Sequence, residues 1–342
     1  MISILCLIFG VIFLAVVFPS KSSKITNALY VIIGILLAVV ASFRPPNSDR
    51  DYLIYKYYWD TRFFFDVEYS FIIIKTVLKE FFGFPVLSLF IVYAIAGVFV
   101  KLQGIKTLST TLFLSLLVYV GNYYLVHELT QIRAGVAAGI FLISIKYIYE
   151  RRFWPFFLLI LLAGFFHYSA FMALPLYLLT PTQKYLKVYA AIIPIGIILF
   201  FLGVDVIANV PIPYVQSRIE MYKLMRDSGI DDAEAFNVFS MSFLTKISIF
   251  FMLYLNREKL FDENKYAYLL LKIYAISLFV FPLLAEIPAF SYRVQSLFGV
   301  VDIILVPLLA TLFRHRLVGF AAVVVVAAGF FYYNIAISEL IK

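Results

Sequence analysis

Arginine side chains lie at the ends of three apolar segments, where they could hold an anionic ligand at the edge of a membrane. Arg44 ends one segment, while Arg133 and Arg293 lie near the start of two others. An ion at that depth is costly unless it is paired, so it usually binds a ligand or a structural partner. The guanidinium stays charged and presents paired donors that suit phosphate oxygens. The three arginines therefore predict a site for a lipid-linked diphosphate, with helix-end anchoring as the alternative for each.

Three residues near these arginines could accept a proton from an attacking hydroxyl. Asp51 follows Arg44, Glu128 precedes Arg133, and His167 stands between two short apolar segments. A general base must lie within hydrogen-bond reach of the proton that it removes. Apolar packing and nearby arginines shift the pKa of such groups in opposite directions. All three therefore stand as catalytic candidates, and a purely structural histidine is the alternative for His167.

Aromatic residues follow Arg44 in the segment DYLIYKYY, which covers residues 51–58. Its tyrosines offer ring faces and hydroxyls that suit sugar rings, so Tyr52 and Tyr55 are candidate sugar-binding residues. The alternative is an ordinary aromatic belt at the level of the lipid headgroups.

The sequence excludes several common kinds of site. The segment HELTQ, at 127–131, resembles the zinc-protease motif HExxH but has Gln131 where the second histidine belongs. The chain has no G-x-x-x-x-G-K-[ST] segment, and so no P-loop for ATP. Cys6 is the single cysteine, which excludes an intrachain disulfide and a cysteine-based metal cluster. We therefore predict no metal and no cofactor, and the net charge of +8 forms no basic stripe for nucleic acid.

The elements that must position these residues are membrane helices. Of the 342 residues, 64% are hydrophobic and 14% are charged, too few charges to cover a surface that faces water. A soluble protein has roughly 45–50% apolar and about 25% charged residues. A helix needs about 20 apolar residues to cross a bilayer. Segments of that kind occupy residues 2–18, 25–43, 85–100, 107–126, 130–149, 187–203, 241–256, 266–286, 294–313 and 317–338.

The apolar stretch 153–182 is too long for one span and contains His167 in its middle. We predict two short helices here, 153–166 and 169–182, which meet near one face of the membrane. This pair brings the expected total to roughly 11–12 transmembrane helices.

The segment 66–82 is shorter and holds the charged residues Lys75, Lys79 and Glu80. This pattern favours a helix that lies in the membrane interface over one that crosses. The chain is therefore predicted to be an all-α polytopic integral membrane protein, with residues 1–342 forming a single domain.

The positions of lysine and arginine predict the orientation, because basic residues favour cytoplasmic loops. One set of alternating loops carries Lys21, Lys24, Lys101, Lys106, Lys146, Arg151, Arg152, Lys184, Lys187, Arg257, Lys259, Lys265, Arg314 and Arg316. The extracytoplasmic face then receives both termini, the turn at His167 and the segments 44–84, 122–131, 204–240 and 286–293. We predict that 44–84 is a loop with an interfacial helix and that 204–240 is a long loop.

Four segments, in sequence order, resemble the EpsG-like, Wzy-type family of bacterial polysaccharide polymerases. They are FRPPNSDRDYLIY, LTQIRAGVAAGIFLISIKYI, LLAGFFHYSAFMALPLYLL and FSYRVQSLFGVVDIILVPLL. The residues that carry the resemblance are Arg44, Asp51, Tyr52, Tyr55, Gln131, Arg133, Ala163, His167, Ser169, Ala170, Tyr292 and Arg293.

The resemblance implies the architecture of lipid-dependent, GT-C-type glycosyltransferases and O-antigen ligases. It implies an inverting enzyme that joins oligosaccharide repeat units carried on undecaprenyl diphosphate, within the lipid bilayer and at the outer face of the bacterial inner membrane. It also implies a polysaccharide chain-length regulator as a partner. In this interpretation, diphosphate binding falls to Arg44, Arg133 and Arg293, catalysis to Asp51, Glu128 and His167, and sugar or acceptor binding to Tyr52, Tyr55, Gln131 and Tyr292.

Other functions remain open from the sequence. A transporter or flippase of lipid-linked oligosaccharides would also need many helices, a basic cavity and an intramembrane acid such as Asp302, although that acid could instead pair with a buried hydroxyl or base. The polar residues lie at one face, whereas alternating access usually places its site at mid-membrane. An O-antigen ligase would share donor and topology but pass the glycan to the lipid A core. A membrane-bound acyltransferase fits less well, because an acyl donor does not require an arginine cluster.

Overall fold

The computed structural model describes residues 1–61, 67–204, 216, 220, 224 and 237–341. Most of the predicted loop 204–240 lies outside the described residues, and so do residues 62–66 of the predicted segment 44–84. Within the described ranges the regular structure is helical, without a β-strand, and an isolated β-bridge joins Asp49 to Ile341.

The first half of the chain forms eight α-helices and their extensions within the described residues. They are α1 (Ile2–Val17), α2 (Ser23–Ser42), α3 (Tyr52–Asp60), α4 (Tyr69–Lys75) with a π-helical extension (Thr76–Phe81), α5 (Leu87–Leu108), α6 (Leu112–Val118) with a π-helical extension (Tyr119–Thr130), α7 (Ile132–Tyr149) and α8 (Phe153–Phe166), followed by a 3₁₀-helix (Tyr168–Leu178).

The second half continues the bundle. Its described helices are α9 (Leu186–Phe201), α10 (Met241–Leu255), α11 (Arg257–Glu263), α12 (Ala267–Leu283), α13 (Pro288–Gly299), α14 (Asp302–Leu305) with a 3₁₀-helix (Val306–Leu312), and α15 (Arg316–Tyr332) with a π-helical end (Tyr333–Ile337).

The lengths and compositions of these helices suit a membrane. Six helical stretches have at least 18 residues and are apolar enough to span a bilayer, and six shorter apolar helices have 10–17 residues. The prediction of an all-α polytopic membrane protein is confirmed.

The position of Lys101 differs from the predicted one. We predicted a cytoplasmic loop there, after a span that ends at residue 100, but α5 continues to Leu108 and buries the Lys101 side chain completely. The Lys101 Nζ donates to the carbonyl oxygen of Gly135 at 2.7 Å and lies 3.4 Å from Oε1 of Glu128. Because a carboxylate neutralises this ammonium inside the bundle, the helix runs through the lysine instead of ending before it.

The predicted pair of short helices around His167 is present, with one difference. The second element is a 3₁₀-helix that ends at Leu178, whereas we expected a helix that ends at residue 182. Pro175 lies inside it and has no N–H to donate, which disfavours a regular α-helix. His167 itself has extended backbone and separates the two elements.

Close packing of α5 against α7 sets the position of the site helices. Gly139 of α7 faces Val100, and an added Cβ at this glycine would collide with the valine side chain. Such close approach is what small residues permit in membrane helices. The alanine- and glycine-rich start of α7 thereby brings Arg133 next to the elements that precede α5.

The C-terminal end packs against the π-helical extension of α6. The Asn334 Nδ2 donates to the carbonyl oxygens of Gly121 and Asn122, each at 3.1 Å. Arg50 in turn donates to the carbonyl oxygen of Ser338. These contacts place the last described residues beside the loop that follows α2.

Candidate functional site

Arg133, His167 and Glu68 meet although they come from three distant parts of the sequence. Arg133 is the second residue of α7, His167 separates α8 from the 3₁₀-helix, and Glu68 directly precedes α4. The Arg133 Nη1 contacts Oε2 of Glu68, and the His167 Nδ1 contacts Oε1 of the same carboxylate. Two predicted site residues are therefore brought together, and an acid that sequence reasoning missed joins them.

Glu68 carries a signal that the sequence analysis did not use. It is a carboxylate at the N-cap of an otherwise apolar helix, where an acid is favourable but rarely buried. Burial raises the pKa of Glu68, but the hydrogen bond from His167 and the charge of Arg133 outweigh burial and hold that pKa below its ordinary value. Glu68 is therefore an ionised counter-charge for Arg133 and a hydrogen-bond partner of His167.

The contacts with Glu68 leave some polar atoms of Arg133 and His167 without a hydrogen bond. The Nε of Arg133 and the Nε2 of His167 are buried and have no hydrogen-bond partner in the described part of the chain. Buried polar atoms are nearly always paired, so unpaired ones at a candidate site call for an explanation such as a ligand.

Arg44 is buried in a different environment. Its Nη1 donates to the carbonyl oxygens of Glu128 at 3.1 Å and Leu129 at 2.5 Å, and its Nε lies 3.4 Å from Oδ2 of Asp49. Its guanidinium carbon lies 3.9 Å from the centroid of the Phe90 ring. These contacts tie the end of the α6 extension to the loop after α2. The Nη2 of Arg44 is buried without a hydrogen-bond partner in the described residues, so its predicted binding of diphosphate stays a prediction.

Glu128 faces α5. Its Oε1 accepts a hydrogen bond from the Tyr119 hydroxyl at 2.9 Å and pairs with Lys101, and its Oε2 presses against Gly97. A carboxylate with these partners neutralises a buried lysine. The arrangement offers no obvious path to a sugar hydroxyl, so the predicted role of Glu128 as a base gains no support from its contacts.

Tyr52 and Tyr55 are also buried. The ring centroids of Tyr52 and Phe90 are 5.1 Å apart and stacked, and Tyr55 lies 6.3 Å from Phe71. The guanidinium of Arg133 lies 5.7 Å from the Tyr55 ring centroid. The two tyrosines thus pack α3 against α4 and α5, and Tyr55 also lies beside Arg133. Contact of these tyrosines with sugar stays a prediction.

A cavity of about 440 Å³ lies beside these elements. Four predicted site residues line it: Asp51, Gln131, Tyr292 and Arg293. The other lining residues include Arg50, Lys246 and Gln295, which were not among the predicted site residues. Arg44, Tyr52, Tyr55, Glu128, Arg133 and His167 do not line it. Its size falls within the range of about 300–1,000 Å³ that is usual for ligand sites.

Asp51 connects the cavity with the arginines. It directly precedes α3 and feels the charges of Arg293, Arg133 and Arg44. Burial raises the pKa of Asp51 above its ordinary value, although each of these guanidiniums acts to lower it. His167 likewise feels the charges of Arg293 and Arg133. The cavity and the Glu68 contact are therefore neighbours in one electrostatic region.

Arg293 differs from the other two predicted arginines. Whereas Arg44 and Arg133 pair with acids, the guanidinium of Arg293 forms no hydrogen bond and no ion pair within the described ranges. It lies five residues beyond Pro288, which begins α13. A cation that lines a cavity and forms no close ion pair is the feature most suited to an anionic ligand.

Asp302 has hydroxyl and amide partners. Its Oδ2 accepts hydrogen bonds from the Tyr123 hydroxyl at 3.2 Å and from the Asn122 Nδ2 at 3.4 Å. The structure therefore shows the pairing with a buried hydroxyl, while a proton or ion site at Asp302 stays a prediction.

Comparison with known proteins gives one match. The model of the EpsG family matches residues 27–341, nearly the whole chain. Searches of curated proteins and of solved structures found no match.

Proposed function

Because the chain belongs to the EpsG family, we propose that it is a polysaccharide polymerase, a membrane glycosyltransferase. It joins oligosaccharide repeat units carried on undecaprenyl diphosphate, at the outer face of the bacterial inner membrane. In each cycle a hydroxyl of one unit attacks the anomeric carbon of another with inversion, and the lipid diphosphate leaves. Cleavage of the bond between the anomeric carbon and the diphosphate supplies the free energy, so the reaction uses no nucleotide.

The observation that carries this proposal is the unpaired Arg293 in the same cavity as Asp51. The reaction needs a cation where negative charge develops on the leaving diphosphate, and preorganised donors of this kind usually make the largest catalytic contribution. It also needs a base for the attacking hydroxyl. Arg293 and Asp51 supply these two functions within one cavity.

Asp51 is the best supported of the three candidate bases. Glu128 is engaged by Lys101 and Tyr119, and His167 is engaged by Glu68. Asp51 lines the cavity, and its raised pKa makes it a stronger base than an ordinary aspartate. We assign Arg133 to positioning and to the positive potential around Asp51. We assign His167 to positioning, and Gln131 and Tyr292 to contact with sugar.

Multi-turnover assays of the purified protein in nanodiscs with undecaprenyl-diphosphate-linked repeat units test this function. A polymerase releases undecaprenyl diphosphate and forms a ladder of products. Arg293→Met should lower that rate by about 10²–10³-fold, because one transition-state donor is lost. Arg152→Met is the matched control, since Arg152 is an exposed arginine paired with Glu150, and its rate should match the wild type.

The alternatives give different products. A ligase would transfer a glycan once to a lipid A core acceptor and form no ladder. A flippase would move intact lipid-linked units across the membrane of a proteoliposome without releasing diphosphate. Either result, or a wild-type ladder from Arg293→Met, would contradict the proposal. The chain-length regulator remains a proposed partner, which would change the length of the ladder without changing the bond that forms.

A further inference from the structure

Lys246 is a buried lysine in the apolar helix α10 and was not among the predicted site residues. The segment SFLTKISIF surrounds it with apolar residues, and its side chain is almost fully buried, yet it lines the cavity. An ammonium within a membrane helix is costly and is usually retained because it pairs with an acid or faces a polar cavity.

The surroundings of Lys246 leave its N–H donors unused. Its Nζ lies 5.6 Å from the centroid of the Tyr123 ring and 6.0 Å from that of Phe330. In the described part of the chain it donates no hydrogen bond and has no acid within 4 Å. Asp302 attracts it electrostatically, but the Asp302 carboxylate accepts its hydrogen bonds from Tyr123 and Asn122. The donors of the ammonium are therefore available to a molecule in the cavity.

Lys246 and Arg293 occupy equivalent positions in their helices. Lys246 lies five residues beyond Met241, the first residue of α10, and Arg293 lies five residues beyond Pro288, the first residue of α13. Both helices begin at the face predicted to be extracytoplasmic, so the two cations lie at similar depth, about 8 Å along each helix. Phe281 links the two walls, with ring centroids 4.6 Å from Phe243 and 5.2 Å from Tyr292.

We propose that Lys246 is a second phosphate-binding residue, so that Arg293 and Lys246 each contact one phosphate of the donor diphosphate. This inference rests on the proposed function for the identity of the ligand. The compact ammonium of lysine suits a second point contact with phosphate, while the planar guanidinium of Arg293 provides paired donors. With two phosphates and two cations, the cavity selects a diphosphate over a monophosphate.

Binding of two soluble probes, farnesyl diphosphate and farnesyl monophosphate, to the purified protein in detergent tests this assignment by isothermal titration calorimetry. Lys246→Met should weaken binding of the diphosphate about tenfold or more, since a hydrogen bond to a charged group is lost, and should change binding of the monophosphate much less. Arg293→Met should weaken binding of both probes. Lys246→Arg, which keeps the charge, should retain most of the preference for diphosphate.

Lys272→Met is the matched control. Lys272 is also a buried lysine within a membrane helix, but its Nζ donates to the carbonyl oxygen and Oγ1 of Thr180, each at 2.8 Å, and it does not line the cavity. Its loss should leave both affinities unchanged. Equal discrimination between the two probes in wild type and Lys246→Met would overturn the assignment, even if polymer still forms. Preference for diphosphate that depends on Lys246, in a protein that forms no polymer, would support the assignment and contradict the polymerase function.

Discussion

The cations of this site fall into two groups according to their partners. Arg44 and Arg133 have internal counter-charges, in Asp49 and Glu68, so their contacts contribute to the arrangement of helices and loops. Arg293 and Lys246 line the cavity and form no close ion pair in the described residues. Asp51 and Asp302 act on them only at longer range. Residue type alone does not separate these groups, because an arginine at a helix end looks the same in both. The difference lies in whether an acid from elsewhere in the chain reaches it.

The pH dependence of the reaction tests whether Asp51 is the general base. Burial raises the pKa of Asp51 above its ordinary value. A base acts only when deprotonated, so kcat/KM should fall as pH drops through this raised pKa and level off above it. Asp51→Asn should lower kcat/KM by about 10²–10⁴-fold, and its residual activity should lack that acid limb. The measurement is the pH profile of undecaprenyl diphosphate release.

Asp49 provides the matched control for this profile. Burial raises the pKa of Asp49 to about 6, against the opposing effect of Arg44, so the pKa of Asp49 is shifted in the same direction as that of Asp51. Its carboxylate faces Arg44, however, and does not line the cavity. Asp49→Asn should therefore keep the acid limb. Loss of the limb in Asp49→Asn, together with its persistence in Asp51→Asn, would show that Asp51 is not the base.

At the scale of elements, Glu68 joins α4 to α7 and to the turn after α8. It is the only carboxylate that contacts Arg133 within the described ranges, and it also contacts His167. Removing one partner of a buried ion pair leaves the other charge uncompensated, which is more costly than the pair is stabilising. Glu68→Gln should therefore lower the free energy of unfolding by about 3 kcal/mol, measured by denaturation in mixed micelles.

The same substitution should also reduce activity, since Arg133 and His167 lose the contact that fixes them near Asp51. Glu80→Gln is the control within the same interfacial segment. Glu80 is exposed, so its replacement should change the free energy of unfolding by less than about 0.5 kcal/mol. Equal effects of the two substitutions on stability and activity would mean that the Glu68 contact does not hold the site together.

At the scale of the molecule, apolar runs and the position of His167 predicted most helices. The thickness of a bilayer fixes how long a spanning helix must be, and an apolar run of that length can be recognised in the sequence. The partners of buried charges could not be predicted in this way. Glu68 and His167 are 99 residues apart, and Asn122 and Asp302 are 180 apart, so no local pattern connects them. Lys101 is an example. From the sequence alone, a lysine at which a helix ends cannot be distinguished from a lysine that is neutralised inside a helix.

The orientation of the whole molecule can be tested through its single cysteine. Cys6 is exposed, so a Cys6→Ser background without other thiols is needed first. Tyr69→Cys, at an exposed position beside Glu68, should then react with a membrane-impermeant maleimide in intact spheroplasts. Lys184→Cys, exposed in a predicted cytoplasmic loop, should react only after the cells are permeabilised. The reason is the basic-residue rule, which places the loop of Lys184 inside. The reverse labelling pattern would put the cavity on the cytoplasmic side, where the proposed lipid-linked repeat units would not be presented for polymerisation.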